Sequence, residues 1–130
     1  METALIEKAL DNFVKALPEK PEWILVVDRS GKFIARIGRY PFKYMSQISD
    51  EIATHWTHIH GMNELETLDK LNHGNWQYSM SFGSDSTLFL FNLNDTFFMG
   101  MSYDGVQSFD AIIEGFRRSF GIVMEALYPD

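Results

Sequence analysis

Three histidines fall close together at His55, His58 and His60 and could in principle hold a metal ion. His55 and His58 are three apart and neighbours on a helix, but His60 falls on a different side and no thiolate completes a set. They read as solvated helix histidines. Ser84, Ser86, Asp85 and His73 contain the types of a hydrolytic set, yet a segment crowded with Ser and Asp reads first as a turn. Asp104-Gly105 lacks the glycine-rich strand-to-helix context of a phosphate loop and reads as a helix cap. With no cysteine there is no disulfide framework and no thiolate nucleophile. No acid–base pair or activated nucleophile stands out, so no catalytic residue, cofactor site or metal site is assigned.

Composition narrows the classes further. A formal charge of −7 argues against phosphate-mediated nucleic-acid binding, and Arg117-Arg118 is too small a basic cluster to reverse that. No apolar run approaches membrane-spanning length, and the acidic, amphipathic METALIEKAL start does not read as a signal peptide. A cytoplasmic location without membrane insertion is the expectation. The 130 residues, 45% hydrophobic and 22% charged, fit one globular domain over residues 1–130. An aromatic share of 15% predicts a bulky core or an adhesive surface.

The stretch from Trp76 to Ser102 carries the architecture. It reads as three strands separated by turns rich in Gly, Asp, Asn and Ser, an antiparallel meander. Trp76, Tyr78, Met80 and Phe82 alternate with polar residues, as at a rim, whereas Leu88–Phe91 and Phe97–Met99 are apolar on both faces. Strands of the latter kind must be covered on both sides. Upstream, Trp23–Val27 is a continuous apolar run that ends in the turn signal Asp28-Arg29-Ser30-Gly31, and an edge-like strand follows up to Gly38.

Helical periods frame these strands. Ile6, Leu10, Phe13 and Leu17 form one stripe, stopped by Pro18. From Tyr44 to His60 the stripe is Met45, Ile48, Ile52, Trp56 and Ile59. Gly61–Gly74 reads as loop plus a helical turn, with Asn63 and Glu66 at capping-box spacing and Leu65, Leu68 and Leu71 facing inward. Phe109, Ile112, Ile113, Phe116, Phe120, Val123, Met124 and Leu127 form the last and strongest stripe, with Gly115 and Gly121 off it. The order α-β-β-α-β-β-β-α, with two edge-like and three central-like strands, predicts an α+β sandwich. Its five-stranded antiparallel sheet has the order 2-1-5-4-3, with the middle helix on one face and the other two helices on the opposite face.

The leading helix, the hairpin WILVVDRSGKFIARIG, the long second helix, the meander and the closing helix after SYDG together resemble the roadblock/dynein-light-chain family. The aromatic third strand and the Gly61–Gly74 segment depart from the family pattern. The resemblance implies a non-enzymatic dimer, a homodimer or a heterodimer with a related subunit, that scaffolds or regulates a Ras-like small GTPase. It also implies a dimer interface built from the third strand and second helix, here Trp76, Gln77, Tyr78, Ser79 and Met80 together with Tyr44–His60. The residues support strand pairing independently: from Asn75 to Ser84 there is no charge and no proline to protect an edge. Gln47, Glu51, Thr54 and His58, opposite the middle helix's expected core stripe, are the candidate partner surface. The alternative is a PAS-like ligand-binding sensor, which would need a hollow with convergent polar groups between sheet and helices.

Overall fold

A computed structural model describes residues 2–38, 50–71, 77–83, 86–93, 96–105 and 109–128. The elements are α1 (Thr3–Lys15), β1 (Trp23–Asp28), β2 (Phe33–Gly38), α2 (Asp50–Leu71), β3 (Tyr78–Phe82), β4 (Ser86–Leu93), β5 (Phe97–Asp104) and α3 (Phe109–Leu127). The five strands form one antiparallel sheet in the order β2-β1-β5-β4-β3. This is the expected α+β sandwich. The three central strands are those whose residues are apolar on both faces, because each face is covered by its own helix layer.

The larger core lies between the sheet and the α1–α3 pair. Ile6, Leu10 and Phe13 of α1 meet Ile112, Phe116, Val123 and Leu127 of α3 over Phe89, Phe91, Met99 and Met101 of the sheet. Phe116 is the hinge of this packing: its ring stacks on Phe91 at 3.7 Å and meets Phe13 edge-on at 6.0 Å. Each such side chain contributes about 1.5–3 kcal/mol by leaving water. Gly115, expected off the stripe, is buried, and a methyl group there would meet Pro18 Cδ at 2.7 Å. The turn after α1 thus seats directly on α3. Phe109 and Phe120, expected in the core, are exposed. Nothing in the structure explains Gly121, which has open space around it.

The second core, under α2, is smaller: Trp23, Leu25, Val27, Leu65, Leu90 and Phe98. Here the structure departs most from expectation. α2 runs unbroken through Gly61 to Leu71, where a loop with a helical turn was expected, and its residues 44–49 of the expected helix lie outside the described residues. Asn63 and Glu66 are therefore helix-interior positions, and Leu71 is exposed whereas Leu65 is buried. The buried face is Thr54, Thr57, Gly61 and Leu65, while Ile59 of the expected stripe is 41% exposed and Trp56 only half-buried. The cause is distance. A methyl group at Gly61 would sit 2.8 Å from the Phe98 ring, and one at Gly100 would sit 3.2 Å from Thr57 Oγ1. A helix this close to a sheet packs through small residues at Thr57 and Gly61, which turns Trp56 and Ile59 aside while Leu65, one turn further on, still reaches the core.

Candidate protein-protein interface

β3 occupies one end of the sheet and, among the described residues, pairs with β4 alone. The Asn92 amide donates to the Gln77 carbonyl at 2.8 Å, and the Gly83 amide to the Ser86 carbonyl at 2.8 Å. In an antiparallel ladder bonded residues alternate, so residues 77, 79, 81 and 83 direct their backbone groups toward β4. Tyr78, Met80 and Phe82 consequently direct N–H and C=O to the outer edge. No strand among the described residues answers them.

The side chains of β3 divide by face. Tyr78 lies against Phe91 with ring centroids 6.1 Å apart, and Met80 packs on the larger core, so the apolar side looks toward α1 and α3. Tyr78 is still 37% exposed and Phe82 56%. The opposite face carries Gln77, Ser79 and Ser81, none of them buried. Of the expected interface residues, Gln77, Tyr78, Ser79 and Met80 are thus on or beside the free edge; Trp76 lies outside the described residues.

The expected partner surface on the middle helix is arranged differently. Gln47 lies outside the described residues, and Glu51 belongs to the first turn of α2. Thr54 and His58, expected to point away from the core, do not. Thr54 is 7% exposed, and its buried hydroxyl has no hydrogen-bond partner among the described residues. His58 is half-buried, its Nε2 2.7 Å from the Arg29 carbonyl oxygen. Both follow from the rotation of the helix onto its small-residue face. What α2 exposes instead is a strip of His55, Ile59 and Asn63, one turn apart, beside which Trp56 and His60 rings meet at 4.7 Å.

His58 faces the β1–β2 turn, which is itself held by Asp28. Asp28 Oδ1 accepts from the Ser30 amide at 2.9 Å, the Ser30 hydroxyl at 2.6 Å and the Lys32 amide at 2.9 Å. Burial alone would push this carboxyl up. The hydrogen bonds from Ser30 and Lys32, with the Lys32 charge, outweigh it and hold the group below its ordinary value. Gly31 closes the turn at φ 90°, and a methyl group there would meet the His58 imidazole at 3.2 Å. The motif DRSG therefore both turns the chain and receives α2. Across the molecule, the Tyr103 hydroxyl donates to the Glu19 carbonyl at 3.0 Å; burial, and then the Glu19 charge, raise its pKa.

No three His, Cys, Asp or Glu side chains among the described residues gather as a metal site. No helix among them is long and apolar enough to cross a membrane. The space between the sheet and the α1–α3 pair, where a sensor would need its hollow, is filled by the stacked rings of Phe89, Phe91 and Phe116 and the edge of Tyr103.

No family model matches the chain, and no curated protein is similar to it in sequence. Solved structures are similar in shape. Myxococcus xanthus MglB superposes with a TM-score of 0.79 over 98% of both chains at 12% identity. The gliding protein MglB of Thermus thermophilus gives 0.73 at 10% identity, covering 95% of this chain and 89% of that one. A Roadblock/LC7 domain from Streptomyces avermitilis gives 0.69 at 9% identity over 97% and 94%. The chain has the roadblock fold. At such identities the likeness is one of backbone path, and the roadblock fold observed is the fold that the hairpin and meander implied.

Proposed function

We propose that this chain is a dimeric, non-enzymatic platform in the cytoplasm that scaffolds or regulates a Ras-like small GTPase. It would act as a single roadblock-like domain over residues 1–130, without a cofactor. The observation that carries this reading is the free edge of β3 in a roadblock fold: three outward backbone positions, no protecting charge or proline, and exposed Tyr78 and Phe82 beside them. Pairing two such edges about a two-fold axis joins the sheets into one and brings the two α2 helices to the same face, an isologous contact. Gln77, Tyr78, Ser79 and Met80, with Trp76, form its seam.

The GTPase surface is then the joint outer face of the two α2 helices. Its centre on each protomer is the exposed Ile59, flanked by His55 and Asn63, with Glu51 in the first turn of α2. An apolar residue within a polar rim is the usual make-up of an interface core. The test uses the purified chain and the Ras-like GTPases of its own cell, loaded with a non-hydrolysable GTP analogue or with GDP. Co-elution of one of them that Ile59→Asp abolishes supports the reading, and single-turnover hydrolysis with and without the chain reads the regulatory effect. Failure of every such GTPase to bind in either nucleotide state contradicts it.

A further inference from the structure

We propose that α1 closes the β2 edge of the sheet against strand addition, through Thr3 and Glu7, so that the chain accepts a further strand at its β3 end alone. The direction of the β2 backbone is fixed by the turn before it. The Arg29 amide donates to the Thr96 carbonyl at 3.0 Å and the Asp28 amide to the Lys32 carbonyl at 3.0 Å, so Asp28 bonds on the β2 side. Bonded positions alternate along an antiparallel ladder, so Val26 and Ile24 also bond toward β2, where they pair with Ala35 and Ile37. Arg36 and Gly38 consequently direct N–H and C=O outward. The register shifts between Val26 and Val27, which leaves Ile34 as the extra residue of a bulge. Side chains answer this edge. The Thr3 hydroxyl donates to the Ile34 carbonyl at 3.3 Å, and the Arg36 amide donates to the Glu7 carboxylate at 3.4 Å. The Arg36 guanidinium donates to the Gly38 carbonyl at 3.1 Å.

Thr3 and Glu7 are one helical turn apart on the same flank of α1. Beside them Ile6 and Leu10 are buried in the larger core, so the packing of the helix holds the pair over the strand. An edge recruits another strand only where its N–H and C=O groups stand open. A strand arriving at β2 has to displace the hydroxyl from Ile34 and the carboxylate from Arg36, and meets the bulge as well. The consequence concerns assembly. A sheet open at both ends can extend as a row, because each added copy presents another free end. A sheet open at one end closes after a single two-fold pairing. The lock therefore makes the β3 pairing of the proposed function a closed pair. It is itself a property of one chain and does not depend on that pairing.

The test compares the natural chain with Thr3→Val/Glu7→Ala, which removes both bonds, and with Thr3→Ser/Glu7→Gln, which keeps a hydroxyl and an acceptor. Sedimentation velocity and amide hydrogen exchange at Arg36 are followed across protein concentration. In the natural chain the Arg36 amide should exchange slowly at every concentration. In dilute Thr3→Val/Glu7→Ala it should exchange faster by about ten-fold or more, as fits the loss of a hydrogen bond to a charged group. When concentrated, that variant should sediment as species larger than the natural chain, with the Arg36 amide protected again by a neighbouring strand. Thr3→Ser/Glu7→Gln should behave as the natural chain does. Rapid Arg36 exchange in the natural chain overturns the proposal, as does natural sedimentation of Thr3→Val/Glu7→Ala at every concentration. Larger species in which Arg36 still exchanges rapidly also overturn it, because association then runs through another surface. Should the double variant not fold, Glu7→Ala alone is read in the same two ways. A natural chain that sediments as a monomer contradicts the β3 pairing and leaves the Arg36 comparison standing, so the two failures are told apart.

Discussion

Gly61 stands so close to Phe98 that a methyl group in its place would lie 2.8 Å from the ring. That single approach sets the height of α2 above the sheet and determines which of its residues are buried. Gly61→Ala should destabilise the protein, because overpacking costs typically about 1–3 kcal/mol and the gain in helix propensity is only about 1 kcal/mol. Thermal unfolding of the variant reads the sign. An unchanged or raised midpoint would mean that α2 can lift off the sheet without loss.

Two glycines of α3 give a matched comparison. Gly115→Ala presses a methyl group against Pro18, whereas Gly121→Ala enters open space on an exposed face. The first should lower the unfolding midpoint, and the second should raise stability by up to about 1 kcal/mol. Denaturant titration of both variants checks the opposite signs.

Much of the fold was legible because strand composition reports how many faces are covered. Trp23–Val27, Leu88–Phe91 and Phe97–Met99 are apolar on both faces and occupy the three central strands. The middle helix was not legible, and for a physical reason: it packs through Thr54, Thr57 and Gly61, residues that hydrophobic periodicity scores as neutral or polar. Of the apparent stripe Met45, Ile48, Ile52, Trp56 and Ile59, the two whose side chains are described, Trp56 and Ile59, are set to the side. The same rotation moved Thr54 and His58 off the expected partner surface. A strand glycine at position 100 opposite the helix was the available signal, since Gly within a strand marks close approach of another backbone.

The hydroxyl of Thr54 is buried without a partner among the described residues, so it contributes desolvation cost and no bond. Thr54→Val keeps the shape and removes that cost. It should leave stability unchanged or raise it by about 1 kcal/mol, within the range for relieving an unsatisfied buried group. A loss of more than that would reveal a bond to this hydroxyl in the protein in water.

Asp28 links the turn to pH. Its folded-state pKa is lowered, so its stabilising contribution is complete above the ordinary value of 3.8 and is lost as pH falls through the lowered folded value. Asp28→Asn should be less stable than the natural chain at neutral pH, and the gap should close as the medium is acidified below 3.8. A gap independent of pH would mean that the hydrogen bonds of Ser30 and Lys32 are indifferent to the charge.

The central claim is that β3 pairs with β3 of a second copy, and its backbone register makes the claim measurable residue by residue. The amides of Ser79 and Ser81 face β4 in any state, while those of Tyr78, Met80 and Phe82 face the free edge. Amide hydrogen exchange should therefore be followed at these five positions by NMR at high and at low protein concentration. The account predicts slow exchange at all five when the protein is concentrated, with protection of Tyr78, Met80 and Phe82 alone falling on dilution. Rapid exchange of those three amides at high concentration, with Ser79 and Ser81 still protected, would contradict it.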